Sequence, residues 1–450
     1  MHISRRILPI VAIALLLSAC APFSSSSQDP NASSAPAQKA TKVVSPAATP
    51  TSAAIAACPV PQDTGCITPY DMRVAYGVQS LLEKGYTGKG QTIVDIVSYG
   101  SPTLQQDMDT FDQQFGLPPI TIKILSPLGT QPVDHPSATD LGGWAEETTL
   151  DVQRIHAIAP DAGIVILTSP VNETEGTIGL PEFLQLEQYA VSNHLGNIIS
   201  QSFGASEATL NTPDGRQEIQ KWDAFFKQAT TQQGITFFAA SGDNGATDYA
   251  DVQMKKFSPT PTIGFPADDP WVTSVGGTAL QPDGTGFQET AWNSNGGASE
   301  GGFSSYFSTP SYQMTLPASV QSQLKNRRGV PDVAGNADPS TTMPIYITHA
   351  GWIPIGGTSA SAPLWAAFMA IANQMAGHPL GFINPTLYKL AASDIYHQDF
   401  HDITTGNNSF HHDGVNVQGY PAVAGWDPVT GLGTPVLDKL LPGLIAAQQG

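Results

Sequence analysis

Basic residues are scarce in this 450-residue chain: 19 Lys and Arg stand against 38 Asp and Glu, for a formal net charge of −19. The few cations form no run or stripe. Nucleic acid is therefore excluded as a partner, because phosphate binding needs clustered positive charge. Charge of either sign is sparse, at 13% of residues. Cysteine is nearly absent, with three residues, too few for a thiolate zinc tetrad. What is abundant is Gly (43), Pro (37) and small polar residues. A low-charge surface of that kind is typical of exported enzymes. An acidic excess also suits acid conditions, where carboxylates lose part of their mutual repulsion. The length admits one large domain or two ordinary ones.

The N-terminus reads as a targeting segment. Arg5 and Arg6 precede an apolar stretch, Ile7 to Leu17, that is too short to span a bilayer comfortably. The stretch ends in Leu17-Ser18-Ala19-Cys20, which resembles the lipobox of bacterial lipoproteins, where the cysteine becomes the lipidated first residue. An ordinary signal peptide followed by a chance cysteine is the alternative. Residues 21 to 57 are rich in Ala, Ser, Thr, Pro and Gln and cannot bury a core. The expected organisation is a signal peptide over 1–19, a lipidated Cys20 with its tether over 20–57, and a folded domain over 58–450. The chain is expected to be exported, anchored to the cell membrane through the lipid on Cys20 or released, and monomeric. Cys58 and Cys66 open the folded part, and the pattern favours a small disulfide loop over free thiols or half a metal site.

Short apolar strands alternate with helices along 91–275. Strands are expected at 91–97, 162–167, 197–202, 234–240 and 271–275, and helices at 103–115, 144–158 and 218–231. Such alternation predicts an α/β fold with a mainly parallel sheet flanked by helices. The Gly-, Ser-, Asn- and Pro-rich region 279–350 reads as loops over that scaffold.

The chain centres on Gly356-Gly357-Thr358-Ser359-Ala360-Ser361-Ala362-Pro363, which opens an apolar helix. A hydroxyl on the first turn sits among N–H groups without helical partners, at the positive end of the dipole, a good setting for a nucleophile. A simple N-cap role for Thr358 or Ser359 fits the local pattern equally well. Glu147 and Asp151 lie four apart on a predicted helix and share a face. They are either a solvated acidic stripe or a pair sharing a proton, with one pKa raised. Asp243, in Ser241-Gly242-Asp243-Asn244-Gly245, follows a predicted strand, where α/β folds build sites, although the sequence alone also reads as a turn.

In this order the residues resemble the sedolisin family, serine-carboxyl peptidases with a subtilisin-like fold. The resemblance runs from about residue 66 to 437. It includes Gly88-Lys89-Gly90-Gln91-Thr92-Ile93, the Glu147/Leu150/Asp151 helix, Gln201-Ser202-Phe203-Gly204, and Phe265-Pro266-Ala267. Ser274-Val275-Gly276-Gly277-Thr278, Val330-Pro331-Asp332-Val333 and Gly431-Leu432-Gly433-Thr434-Pro435 continue it. Subtilisin shares the Gly-Thr-Ser-x-Ala pattern but needs an Asp-Ser/Thr-Gly after the first strand and a His-Gly-Thr-His helix. Neither occurs here, and Glu147 stands where a histidine base would.

The resemblance implies an acid-acting serine endopeptidase with Ser359 as nucleophile, Glu147 as general base, Asp151 as its partner and Asp243 as oxyanion stabiliser. Endopeptidase and tripeptidyl-peptidase activities both occur among relatives. It also implies one structural calcium ion, held by Asp402, Asp427 and the backbone carbonyls of Ile403, Val423 and Gly425. Val423 departs from the glycine usual there, and its branched side chain restricts that ligand's backbone. The family's long prosegment has no counterpart between the tether and Ile67. A rival reading is a catalytically silent, surface-displayed binding lipoprotein with the same fold.

Overall fold

Strand Thr92–Ser98 (β1) is an apolar run buried on both faces, which places it in the middle of a sheet. The computed structural model containing it describes residues 57–60, 65–284, 286–412 and 414–448. The signal peptide, Cys20 and the tether up to residue 56 lie outside the described residues. The other strands of the central sheet are Lys123–Leu125 (β2), Gly163–Ser169 (β3), Ile198–Gln201 (β4), Thr236–Ala240 (β5), Thr273–Pro282 (β6), Phe287–Ala291 (β7) and Val333–Asn336 (β8). Their order is β8-β6-β5-β4-β1-β3-β2, with β7 on β6. Every neighbouring pair is parallel except β6 with β7. This is the expected subtilisin-like α/β sheet.

Helices cover both faces. Side chains alternate along β1, so Ile93 and Val97 join one core while Val94 and Ile96 join the other. The first core contains helices Ala138–Ile158 (α2) and Thr358–Ala376 (α5), with Leu104–Phe115 (α1) beside α2. The second is built on Leu180–Ser192 (α3) and Pro213–Gln233 (α4). Helix α2 starts six residues before the predicted 144, because Ser137 and Asp140 form a reciprocal capping box that ties up its first free N–H groups.

Region 279–350 is not only loop. Strand β6 runs on to Pro282, β7 pairs back onto it, and β8 forms an edge of the central sheet. Its glycines serve close packing as well as turns. A Cβ on Gly277 would lie 2.6 Å from the Ala337 Cβ and 2.9 Å from Trp292, and one on Gly335 would lie 3.3 Å from the Ser361 Cβ. That close approach seats α5 on the sheet: Ser361 Oγ donates to Gly335 O at 3.0 Å and Trp365 Nε1 to Ala334 O at 2.8 Å. Cys58 and Cys66 are joined in a disulfide, with Cα atoms 6.3 Å apart. Among the described residues no helix is long and apolar enough to cross a membrane.

Candidate active site

Four elements meet at the carboxyl ends of β1, β4 and β5: the middle of α2, the turns after β4 and β5, and the start of α5. They bring Glu147, Ser202, Asp243 and Ser359 into the lining of one cleft. Thr358 and Ser359 are the first two residues of α5, and Gly357 is the N-cap with no side-chain capping bond. The capping role for Thr358 or Ser359 is therefore not realised. The Thr358 hydroxyl instead donates to Asp243 Oδ1 at 2.9 Å, beside the Thr358 N–H at 2.7 Å, and accepts from the Gly242 N–H at 3.0 Å. Gly357 adopts φ +119°, and a Cβ there would fall 2.6 Å from Asp243 Oδ2. Only glycine leaves that oxygen room.

Glu147 and Ser359 line the same cleft, and the Ser359 hydroxyl is near enough to Glu147 to favour its ionised form. Asp151 lies one turn deeper on α2 and is fully buried. Asp95, also fully buried, projects from β1 on the Ile93/Val97 face and is hydrogen-bonded to Asp151. The Ile96 N–H lies on the side of Asp95, but no donor stands within bonding distance of either Asp95 oxygen, of Oδ2 of Asp151 or of Oε1 of Glu147. Two carboxyls can bond each other only through a carboxyl proton. The contact therefore requires a shared proton between Asp151 and Asp95, while Glu147 interacts with both through its charge.

Ser202 touches the same group. Its Oγ lies 2.9 Å from Asp151 Oδ1 and 3.3 Å from the Ser359 carbonyl oxygen. That carbonyl is free because its helical partner would be the N–H of residue 363, which is Pro363. One hydroxyl has one proton. If Ser202 donates to the Ser359 carbonyl, its contact with Asp151 needs the proton to be on Asp151.

Burial dominates the titration of these groups. It pushes Glu147 up to about 8, reinforced by the charges of Asp243 and Asp95 and opposed by hydrogen bonds from Ser359 and Ser202. Asp95 is pushed up to about 7 by burial, against its hydrogen bond with Asp151. Asp151 is raised by burial and then by the charges of Asp95 and Glu147. Burial also raises Asp243, while the two Thr358 hydrogen bonds work the other way. The three linked carboxyls titrate as one unit, so each proton lost makes the next harder to remove.

Two members of this arrangement carried no role in the sequence reading. Asp95 was hidden in an apolar strand. A carboxylate inside a run buried on both faces is itself the signal, since it cannot stay there without a partner. Ser202 lay within a motif of the resemblance, with no chemistry attached. No histidine lines the cleft among the described residues. His156 is buried elsewhere, 2.8 Å from Pro118 O and 3.2 Å from Asp112.

The profile of the Subtilase family matches residues 139–386, a span that contains Glu147, Asp243 and Ser359. The chain belongs to the subtilase family. Within it the fold is that of a sedolisin-type catalytic domain. The structure of Pseudomonas sedolisin, a serine-carboxyl proteinase complexed with two molecules of pseudo-iodotyrostatin, superposes with a TM-score of 0.70 at 26% identity, covering 85% of this chain and 99% of that one. Kumamolisin of Bacillus sp. (strain MN-32) is 35% identical over 387 residues, 84% of this chain and 63% of its own length. Tripeptidyl-peptidase 1 of Dictyostelium discoideum is 30% identical over 379 residues, 81% of this chain and 56% of its own. The chain thus spans about three fifths of the length of these relatives.

The two acidic residues expected at a calcium site approach one turn. Asp402 accepts the Gly425 N–H on both oxygens at 3.1 Å, and Asp427 Oδ2 accepts the Val423 N–H at 2.9 Å. Among the described residues no three His, Cys, Asp or Glu side chains are grouped to hold a metal.

Removing the Ser202 hydroxyl strands the Ser359 carbonyl. Ser202→Ala is expected to cost about 1–3 kcal/mol, read as a lower melting temperature in acid. An unchanged melting temperature would contradict the bond assigned to it.

Proposed function

We propose that the chain is an acid-acting serine-carboxyl peptidase. What supports this most is that Glu147, Asp243 and Ser359 line one cleft, with the buried, proton-sharing pair of Asp95 and Asp151 acting on Glu147. In this reading Ser359 Oγ attacks the scissile carbonyl carbon. Its proton passes to Glu147 as the new C–O bond forms. The carbonyl oxygen gains negative charge and is met by a protonated Asp243 and the first-turn N–H of Ser359. Asp243 Oδ1 already accepts two Thr358 donors, so the proton belongs on Oδ2. Glu147 then returns its proton to the leaving amine as the C–N bond breaks. Water then loses a proton to Glu147 as it attacks the acyl carbon, and Glu147 gives that proton to Ser359 Oγ as its bond to the acyl group breaks. Asp151 is the partner of Glu147, and the charge of Asp95 favours the proton that Glu147 gains.

The pH dependence has a definite sign. Asp243 donates only while protonated, so activity falls as pH rises through its titration. Glu147 accepts only while ionised, so activity also falls as pH drops through its own titration, which burial raises, and the active form is the one with Glu147 ionised and Asp243 protonated. Peptide hydrolysis measured across pH is expected to peak below neutrality, and Ser359→Ala is expected to lower it by at least about 10³-fold. A peak well above pH ~7, or activity untouched by Ser359→Ala, would sink the mechanism. A silent binding protein has less support, since all four catalytic positions are filled and Glu147, Asp243 and Ser359 share one cleft.

We also propose a structural calcium ion on Asp402, Asp427 and the carbonyls of Ile403, Val423 and Gly425. The support is the donor chemistry: hard oxygens on two loops, with both carboxylates drawn to the Val423–Gly425 turn. When bound, the ion would staple the end of the domain. Chelation is expected to lower the melting temperature and added Ca2+ to restore it, with Asp402→Asn insensitive to both. An equal melting temperature with and without chelator would count against the site.

Export and lipid anchoring through Cys20 rest on the sequence pattern alone. Fatty-acid labelling that disappears in Cys20→Ser is the expected outcome, and label retained in that variant would contradict it.

A further inference from the structure

The cleft beside Ser359 holds about 510 Å³ and extends past Asp243 and Gly242 into an acidic chamber. Glu173, Glu175, Asp248 and Glu300 line it, and each is more than nine-tenths buried. None of these belongs to the proton-sharing pair on the other side of Ser359. Among the described lining residues there is no Lys, Arg or His to balance them.

Two of the four carboxyls are accounted for by the fold. Glu175 Oε2 accepts from the Ser206 N–H at 2.9 Å and the Thr209 hydroxyl at 2.7 Å. Asp248 Oδ1 accepts from Asn244 Nδ2 and the Tyr249 N–H, both at 2.8 Å. Glu300 is different. It is 1% exposed, and neither of its carboxyl oxygens has a hydrogen-bond partner within bonding distance, although the Asn244 N–H lies on its side. Glu173 Oε1 is likewise unpartnered.

Glu300 is fixed as part of the wall. Its N–H donates to Gly242 O at 2.9 Å. A Cβ on Gly242 would fall 2.3 Å from Oε2, and one on Gly264 3.4 Å from Oε1. Glycine at both positions leaves the carboxyl seated between the turn that carries Asp243 and strand residue Gly264. A buried carboxyl group without a donor is costly unless something supplies one. Burial and the neighbouring carboxyls raise Glu300, and push Asp248 up to about 8, and a cation among these carboxyls would favour their ionised forms.

The chamber also fits the stem of a long basic side chain. Tyr249 and Met254 line the same cleft, and Tyr249 is held by stacking on Phe257 at 4.5 Å. An aliphatic stem can pack on such surfaces while its charged head reaches the carboxyls. The chamber shares its wall with Asp243. The side chain entering it therefore belongs to the residue whose carbonyl oxygen Asp243 meets.

We propose that this chamber takes a Lys or Arg side chain of the substrate residue whose carbonyl Ser359 attacks, with Glu300 as the specificity-determining group. The proposal rests on the peptidase reading for its biological use, but the pocket can be tested without turnover. Peptides differing only at that residue, with Arg, Lys, norleucine or Glu, would be compared by kcat/KM in mild acid. In parallel, binding of peptides ending in Arg or norleucine to Ser359→Ala would be measured by calorimetry. The Arg and Lys peptides are expected to be preferred in both assays. Glu300→Gln is expected to lower the Arg-to-norleucine ratio at least about tenfold, and a ratio within one preparation does not depend on how much of the variant folds. Preference for Arg in binding without any cleavage would leave the pocket standing and remove the peptidase reading. Preference for norleucine or Glu, or a ratio unmoved by Glu300→Gln, would overturn the proposal.

Discussion

The contact between the buried carboxyls of Asp95 and Asp151 constrains the whole site. Neither side chain can reach water, and no donor stands within bonding distance of either Asp95 oxygen. Left ionised side by side, they would repel in a medium that screens charge poorly. A retained proton resolves this and at the same time makes Asp151 a rigid, polarisable partner for Glu147. In the proposed mechanism the preference for acid thus follows from where β1 and α2 place two carboxyls, before Ser359 enters the account.

Backbone chemistry completes the arrangement. Helix α5 is buried along nearly its whole length and cannot shift without opening the core. Pro363 withholds the N–H that would normally occupy the Ser359 carbonyl, and Ser202 takes its place while touching Asp151. Gly357 clears space for one oxygen of Asp243, while Thr358 holds the other. Asp243 and the turn that carries Ser359 are therefore positioned by groups to which the proposed mechanism gives no catalytic role. Such support is what keeps a site within the tolerance its chemistry needs.

Much of this was legible in the sequence because it follows from short-range rules. The parallel sheet came through as apolar runs between helices, and Glu147 with Asp151 through the i,i+4 spacing of one helix. Asp243 and Ser359 were ambiguous one at a time, as a turn and a cap, and became a site only when taken in order with the others. What escaped depends on distance in space. Asp95 sits 56 residues before Asp151 in the sequence, and only the register of β1 against α2 makes them neighbours. Region 279–350 read as loop because glycine usually marks turns. At Gly277 and Gly335 it instead allows close contact within and above the sheet, and composition cannot distinguish the two uses. Glu300 was invisible for the same reason: its lack of partners is a property of the folded cleft.

The central claim is that the carboxyls behind Ser359 hold protons where ordinary carboxyls have lost them. Infrared titration of the folded protein reads this directly, because a protonated carboxyl and a carboxylate absorb at separate frequencies. Protonated bands should persist well above the ordinary carboxyl range near ~4, and part of that absorption should vanish in Asp95→Asn and in Asp151→Asn. Complete ionisation by pH ~5, or bands indifferent to both substitutions, would contradict the account.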